Sequence, residues 1–382
     1  MSTVQKAIAP MPTRAYLDHA ASSPLRPEVL SAMGDALGRA GNPSSLHGSG
    51  RAARRLLEEA RESLAASLGA TPAEVVLTSG GTEANNLALL GGARPGTAVA
   101  ISAVEHPSVS GVRERRDGVR VLPVTASGHL DADAARAALD DAVGLVSVQW
   151  VNNETGAVQP VEAVVGLGRD IGARVHSDAV QALGHVPVDF AASGLDLMTV
   201  SAHKVGGPVG VGALVVRKGV TVLPTGFGGG QEARLRSGTV PVALAVGFAA
   251  AAQLAIASLD AEAIRLAGLR DRLVSGAITA TACTPNTLAP CGPAIVNLTF
   301  PGLRADDLLL LLDTAGIDAS TGSACTAGVH QPSEVLLAMG RTLADAGASL
   351  RFSFGPDTTA DDIDRVLAVL PDAVARARAA VA

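Results

Sequence analysis

Leu195-Asp-Leu-Met-Thr-Val200 runs directly into Ser201-Ala-His-Lys-Val-Gly-Gly-Pro-Val-Gly-Val-Gly212. The first part is short and apolar and reads as a buried strand. The second is a glycine-rich turn at that strand's end. It carries Lys204, one of only three lysines, the others being Lys6 and Lys218; arginine supplies the remaining 27 of the 30 basic residues. The composition therefore uses Arg wherever a plain positive charge will serve. A lysine kept among glycines fits a role that guanidinium cannot fill, because a primary amine can lose its proton and attack a carbonyl. It reads equally as a side chain snorkelling out of a turn. This stretch alone leaves both readings open.

Outward from it, apolar runs at Glu74–Thr78, Thr97–Ser102, Val119–Val124, Gly144–Val151, Arg174–Ser177, Leu197–Ser201 and Gly212–Arg217 are separated mainly by helical or loop segments. Strands alternating with helices predict an α/β fold with a mainly parallel sheet covered on both faces. Such sheets bind ligands at the carboxyl ends of their strands. Before them come a short strand and turn over Tyr16–Pro24, a helix over Arg26–Arg39, a loop over Gly41–His47 and an amphipathic helix over Ser49–Leu68. After Ala261 a long helix to about Thr279, strands at Ala294–Phe300 and Ser349–Phe354, and helices over Ala305–Ala315, from Ser333 and over Thr359–Ala380 predict a smaller α+β domain. Residues 15–260 are expected to form the large domain, with 1–14 and 261–382 in the small one.

The 382 residues are 48% hydrophobic but only 2% aromatic, so the core must be built from Ala, Val and Leu. A net charge of -6 supplies no field for nucleic acid, and the clusters Arg51–Arg55 and Arg113–Arg116 read as solvated helix faces. Three cysteines, Cys283, Cys291 and Cys325, are too few and too scattered for a disulfide framework or a cysteine-built zinc site. Met1 to Arg14 lacks the apolar core of a signal peptide. Val240 to Leu259 carries no charge but is mostly Ala, contains Gln253 and opens with Pro241, which reads as a buried helix. The expectation is a soluble protein of the reducing cytoplasm.

Several stretches place reactive side chains at the sheet's ligand-bearing edge. Ser79-Gly-Gly-Thr-Glu-Ala-Asn-Asn86 follows a strand and opens a helix. With Gly81 and Thr82 it is either a phosphate cradle or a tight turn. His106, in Glu105-His-Pro107, is either an ordinary hydrogen-bonded histidine or a functional one. Asn152, Asn153 and Glu154 lie beyond another strand. Asp178 and Gln181, in His176-Ser-Asp-Ala-Val-Gln181, follow the next; the aspartate is either a helix cap or the counter-ion of a buried protonated pyridine. Gly228-Gly-Gly-Gln-Glu-Ala-Arg-Leu-Arg-Ser-Gly-Thr239 is either a solvated loop or an arginine clamp for phosphate. In Ser320-Thr-Gly-Ser-Ala-Cys-Thr-Ala-Gly328 nothing bulkier than Thr flanks Cys325, so it reads as a reactive thiol on an exposed loop rather than a core cysteine.

Taken in order, LDHAA, NPSSLH, SGGTEANN, EHPSV, NNETGAVQP, HSDAVQALG, SAHKVGGPVG, RSGT and GSACTAG resemble the cysteine desulfurases, the NifS/IscS-like branch of the class V aminotransferases, from Tyr16 through Arg351-Phe-Ser-Phe-Gly355. The sequence departs only slightly, with Ser22-Ser23-Pro24 where the family often has Thr-Thr-Pro. The resemblance implies the fold type I of pyridoxal 5′-phosphate (PLP) enzymes and a homodimer. It implies that Lys204 binds PLP covalently, Asp178 pairs with the ring nitrogen, Gln181 reaches the ring hydroxyl, and His106 stacks on the ring and assists proton transfer. The phosphate would be held by Thr82, Ser201 and His203 beside Gly81, with Thr239 reaching in from the neighbouring subunit. Asn153 and Arg351 would orient the carboxylate of L-cysteine. Cys325, on a loop over about residues 318–332, would take the sulfur and pass it to an acceptor such as an iron–sulfur scaffold or a tRNA-thiolation enzyme.

A selenocysteine lyase would use much the same site. A simple aminotransferase gives no reason for the Cys325 loop. A non-catalytic sulfur-relay or scaffold protein would be expected to have lost Lys204, Asp178 or Cys325, and all three are present.

Overall fold

The computed structural model describes residues 14–322 and 331–381. Its strands are β1 (Ala15–Tyr16), β2 (Val75–Thr78), β3 (Ala98–Ser102), β4 (Arg120–Leu122), β5 (Val143–Ser147), β6 (Arg174–Asp178), β7 (Leu197–Ser201), β8 (Gly212–Val216), β9 (Thr284–Pro285), β10 (Ile295–Thr299), β11 (Ile317–Asp318) and β12 (Ser349–Ser353). The seven apolar runs predicted as strands form one sheet in the order β2-β8-β7-β6-β5-β3-β4. All its pairings are parallel except those of β8, which runs antiparallel to β2 and β7. Strands β2, β5 and β7 are buried at every residue, as a sheet covered on both faces requires. The core around them is largely Val, Leu and Ala, with Phe190 and Phe248 as rare aromatics.

The helix Val242–Ala257 is apolar all round and packs against both Pro27–Leu37 and Gly48–Ser67, which bury the face that the sheet does not. No single helix among the described residues is long and apolar enough to cross a membrane. The expected strand Gly144–Val151 is shorter in the structure. Beyond Ser147 the chain still bonds from Val148 N to His176 O and from Trp150 N to Asp178 O. It then turns at Asn152, whose side-chain oxygen accepts from the backbone N–H groups of Glu154 and Thr155.

The C-terminal part forms a smaller domain on the antiparallel sheet β12-β10-β9, with a second core that includes Leu273, Phe300, Leu308, Phe352, Phe354 and Leu370. The helix Ala360–Val381 starts with a capping box: Thr359 Oγ1 accepts from Asp362 N (3.2 Å), and the Asp362 carboxylate accepts from Thr359 N (2.8 Å). Strand β1 pairs in parallel with β11, and Ala15 and Leu17 are fully buried in the second core.

Strand β2 is an edge, and its outward Leu77 N–H is capped by the Glu232 carboxylate (2.8 Å). Arg61 grips the same carboxylate through two nitrogens, each at 2.8 Å, and reaches the Val75 carbonyl at 2.8 Å. With Glu232 only 2% exposed, removing it takes the paired carboxylate from the part-buried Arg61 guanidinium and leaves a strand N–H without its acceptor. Glu232→Ala should destabilise the fold by about 3 kcal/mol or more. Chemical unfolding of the variant beside the parent checks this, and a loss under about 1 kcal/mol, the size of a surface ion pair, would show that the clamp is not structural.

Candidate active site

The carboxyl ends of β3, β5, β6 and β7 open onto a cleft of about 810 Å³. It collects Gly81, Thr82, His106, Asn153, Asp178, Gln181, Ser201, His203, Lys204 and Arg351 from segments scattered along the chain. Strand β7 delivers Lys204 through one short turn of helix, Ala202–Lys204. Gly206 then reverses the chain at φ +76°, a conformation a side chain would strain. Lys204 Nζ donates to the carbonyls of Ala20 (2.6 Å) and Ala21 (2.7 Å). Desolvation, helped by the charge of Arg351 and opposed by Asp18 and Asp178, brings the amine's pKa down from 10.5 to about 8. A usable fraction of free amine is therefore present near neutrality.

The helix Gly81–Gly91 points its N-terminus into the cleft, and its N-cap, Gly80, has no side chain to satisfy the first N–H groups. A Cβ on Gly81 would lie 2.8 Å from Val180 Cγ2, so only glycine lets the helix start this close to the sheet. Beside it the Ser201 hydroxyl is buried without a partner, and Thr82 and His203 line the same cleft. Desolvation and the charge of Lys204 lower His203 to about 4, leaving it neutral. These groups form a donor-rich end suited to an anion.

Asp178 caps the turn after β6, accepting from Val180 N (2.9 Å) through one oxygen and from the Asn85 amide (2.6 Å) through the other. Gln181 donates to Ala20 O (2.8 Å), the carbonyl that also holds Lys204. His106 opens onto the cleft, while the protein around it, by desolvation, lowers its pKa; Asp178 opposes this and Lys204 adds to it. Arg351, on β12 of the smaller domain, is 4% exposed and reaches Asp18 (2.6 Å) and the Asn153 carbonyl (3.0 Å). Thr239 is exposed and does not line this cleft. Cys325 lies outside the described residues, although Gly322 and Gln331, before and after that stretch, both line the cleft. No metal-binding cluster occurs among the described residues.

Sequence reasoning missed Asn85, Ser108, Asp18 and Glu105 as parts of the site. All four sit inside quoted motifs, but their partners come from remote segments; Asn85 and Asp178 are 93 positions apart. Glu105 is the most unusual. Its Oε1 accepts from Ser102 Oγ (2.7 Å) and Gln149 N (2.8 Å), while Oε2 is buried without a partner. Desolvation lifts it from 4.5 to about 8 against those hydrogen bonds, and the nearby Asp178 adds to the rise.

The chain matches the aminotransferase class-V family over residues 15–366. It is 48% identical over 383 residues to the IscS-like cysteine desulfurase of Mycobacterium tuberculosis, covering 96% of this chain and 98% of that one. Among solved structures, the NifS-like protein from Rickettsia africae superposes with a TM-score of 0.88 at 29% identity, covering 94% of this chain and 99% of the other. A structure of SspA in complex with cysteine superposes with a TM-score of 0.78 at 31% identity, covering 91% and 100%. The chain belongs to the class-V aminotransferase family, in its branch of NifS/IscS-like cysteine desulfurases.

The raised pKa of Glu105 has a testable sign. Unfolded chains release this proton near 4.5 and the folded protein keeps it to about 8, so the fold binds more protons within that window and loses stability as pH rises through it. Glu105→Gln should remove a slope of roughly 1.4 kcal/mol per pH unit between those values. Melting curves of parent and variant across the range check it; curves that stay parallel would mean that Glu105 is ionised in the fold.

Proposed function

We propose that this protein is a PLP-dependent cysteine desulfurase that converts L-cysteine to L-alanine and carries the released sulfur as a persulfide on Cys325. The single observation that carries the reading is the placement of a desolvated lysine amine and a buried carboxylate in one cleft with an uncapped helix N-terminus. The residues present fit PLP. The unpartnered Ser201 hydroxyl, Thr82, His203 and the N–H groups at Gly81 would hold its phosphate. Lys204 would take its aldehyde carbon, Asp178 its ring nitrogen, Gln181 its ring hydroxyl and His106 its ring face. When bound, PLP supplies an electron sink for negative charge at the substrate's Cα.

The protein's own groups would do the rest. Arg351, with Asn153, orients the substrate carboxylate, a geometry for which a forked guanidinium is suited. Lys204, with a fraction of its amine free near neutrality, holds or moves the Cα proton. The Cys325 thiolate attacks the substrate sulfur; an S–S bond forms as the Cβ–S bond breaks, and its electron pair stays on the carbon fragment, which takes up a proton to become alanine. Cysteine plus thiol gives alanine plus persulfide, so no external oxidant or reductant is consumed. Gly322 and Gln331 at the cleft rim support a nucleophile lying between them in sequence.

An exposed Thr239 fits a homodimer in which it completes the partner subunit's phosphate site. The persulfide would pass to an acceptor protein of the iron–sulfur scaffold or thiolation type. The cytoplasm suits a thiol that must stay reduced. A selenocysteine lyase is the second reading, since no described residue of the cleft tells sulfur from selenium.

The test is a single turnover of the PLP-loaded protein with L-cysteine and no reductant. The parent should yield alanine with a persulfide on Cys325, and Cys325→Ser should lose both. Lys204→Ala should lose the visible absorbance of covalently bound PLP; an unchanged spectrum would sink the lysine assignment. A yellow protein that makes no alanine from cysteine but does so from selenocysteine would favour the second reading.

A further inference from the structure

We infer that Asn85 and Ser108 are positioning residues that lock His106 as its Nε2–H tautomer and tie it to Asp178 through a single amide group. The inference builds on the desulfurase reading for what His106 acts upon, whereas the geometry is independent of it. His106 Nδ1 lies 3.1 Å from the backbone nitrogen of Ser108 and 2.8 Å from its hydroxyl oxygen. A backbone N–H can only donate, so Nδ1 is an acceptor and the neutral ring carries its proton on Nε2. The Ser108 hydroxyl consequently gives its hydrogen to Nδ1 as well.

The same hydroxyl oxygen accepts from Asn85 Nδ2 (2.8 Å), and that nitrogen's second hydrogen goes to Asp178 Oδ2 (2.6 Å). A carboxylate offers only acceptors, which fixes the amide with its nitrogen between the two partners. Asn85 is 1% exposed, and its carbonyl oxygen is left buried with no partner. Leaving a buried acceptor empty costs stability, so this orientation is held by the demand for both amide hydrogens. Among the charged groups around the ring, Asp178 favours its protonation and Lys204 opposes it. The tautomer leaves Nε2 as the hydrogen-bond donor of a ring that lines the cleft. The neutral ring cannot take a proton at Nε2 without first changing tautomer, so His106 serves there as a donor rather than a base.

The experiment is nitrogen NMR of the full chain labelled with ¹⁵N-histidine, with PLP removed and again with PLP bound, using His106→Asn to assign the signals. The parent should show His106 with its proton on Nε2. Ser108→Ala should raise the ratio of Nδ1–H to Nε2–H about fivefold, the weight of one hydrogen bond, and Ser108→Thr should restore it. Asn85→Ala, which never touches His106, should shift the ratio in the same direction, and the double variant should go no further than Ser108→Ala. In turnover, Ser108→Ala should lower kcat several-fold with KM unchanged. A parent His106 with its proton on Nδ1, a ratio indifferent to Ser108→Ala, or additive effects in the double variant would overturn the inference. If Asn85→Ala does not fold, the Ser108→Ala and Ser108→Thr pair decides alone. Because the tautomer is read without turnover, a protein that makes no alanine from cysteine yet shows the expected signals fails the functional reading and keeps this one; the opposite result does the reverse.

Discussion

The Lys204 ammonium hangs between two backbone carbonyls, Ala20 and Ala21, at the end of a fully buried strand. A carbonyl can stabilise an ammonium but cannot neutralise it, and a carboxylate in that place would have pushed the pKa up instead of leaving desolvation to bring it down to about 8. The segment that supplies these carbonyls is itself anchored elsewhere. Ser353 Oγ accepts from Ala20 N (2.9 Å), and strand β1 pairs with β11. The amine of the large sheet is therefore held by a loop fixed to the smaller domain.

Charge around the cleft is arranged to keep that balance. Desolvation, with the nearby charge of Asp178 adding to it, keeps the Glu105 proton to about pH 8. Asp178 lines the same cleft as Lys204. His203 stays neutral under desolvation, so the donor-rich end of the cleft consists of N–H and O–H groups rather than a second fixed cation. Glu154 follows the same rule as Glu105: burial raises its pKa, while the Ser333 hydroxyl at 2.5 Å and the charge of Arg351 hold it back.

What was legible in the sequence was what repeats locally. Alternating apolar runs located the seven strands of the main sheet, because a strand covered on both faces must be apolar along its length. Glycines beside Thr82 and Lys204 marked the turns at its edge, since a glycine-rich turn has a local steric cause. The pairing of β1 with β11 was not legible: two residues paired across 302 positions leave no periodic trace. Neither was the role of Asn85, whose helix position predicts only a buried polar side chain until its two partners are folded against it. The stretch around Cys325 was singled out by its small neighbours and by the motif resemblance, and its residues 323–330 lie outside the described chain.

Arg351 shows why both domains are needed. It lies on β12, where Asn297 is its ladder partner on β10, yet its guanidinium crosses to Asp18 and to the carbonyl of Asn153 at the end of the large sheet. Its third nitrogen, Nε, is buried without a partner. Two contacts fix the fork's direction, and the Nε donor is left without an acceptor. A guanidinium so held enters the cleft pre-oriented, so that in the proposed reaction a substrate carboxylate need not pay the entropy of ordering a free arginine. Moving the smaller domain by an ångström would move this fork relative to Lys204. The contact of Asp18 with Arg351 and the carbonyls of Ala20 and Ala21 therefore set one distance between them: from the Arg351 guanidinium to the Lys204 amine.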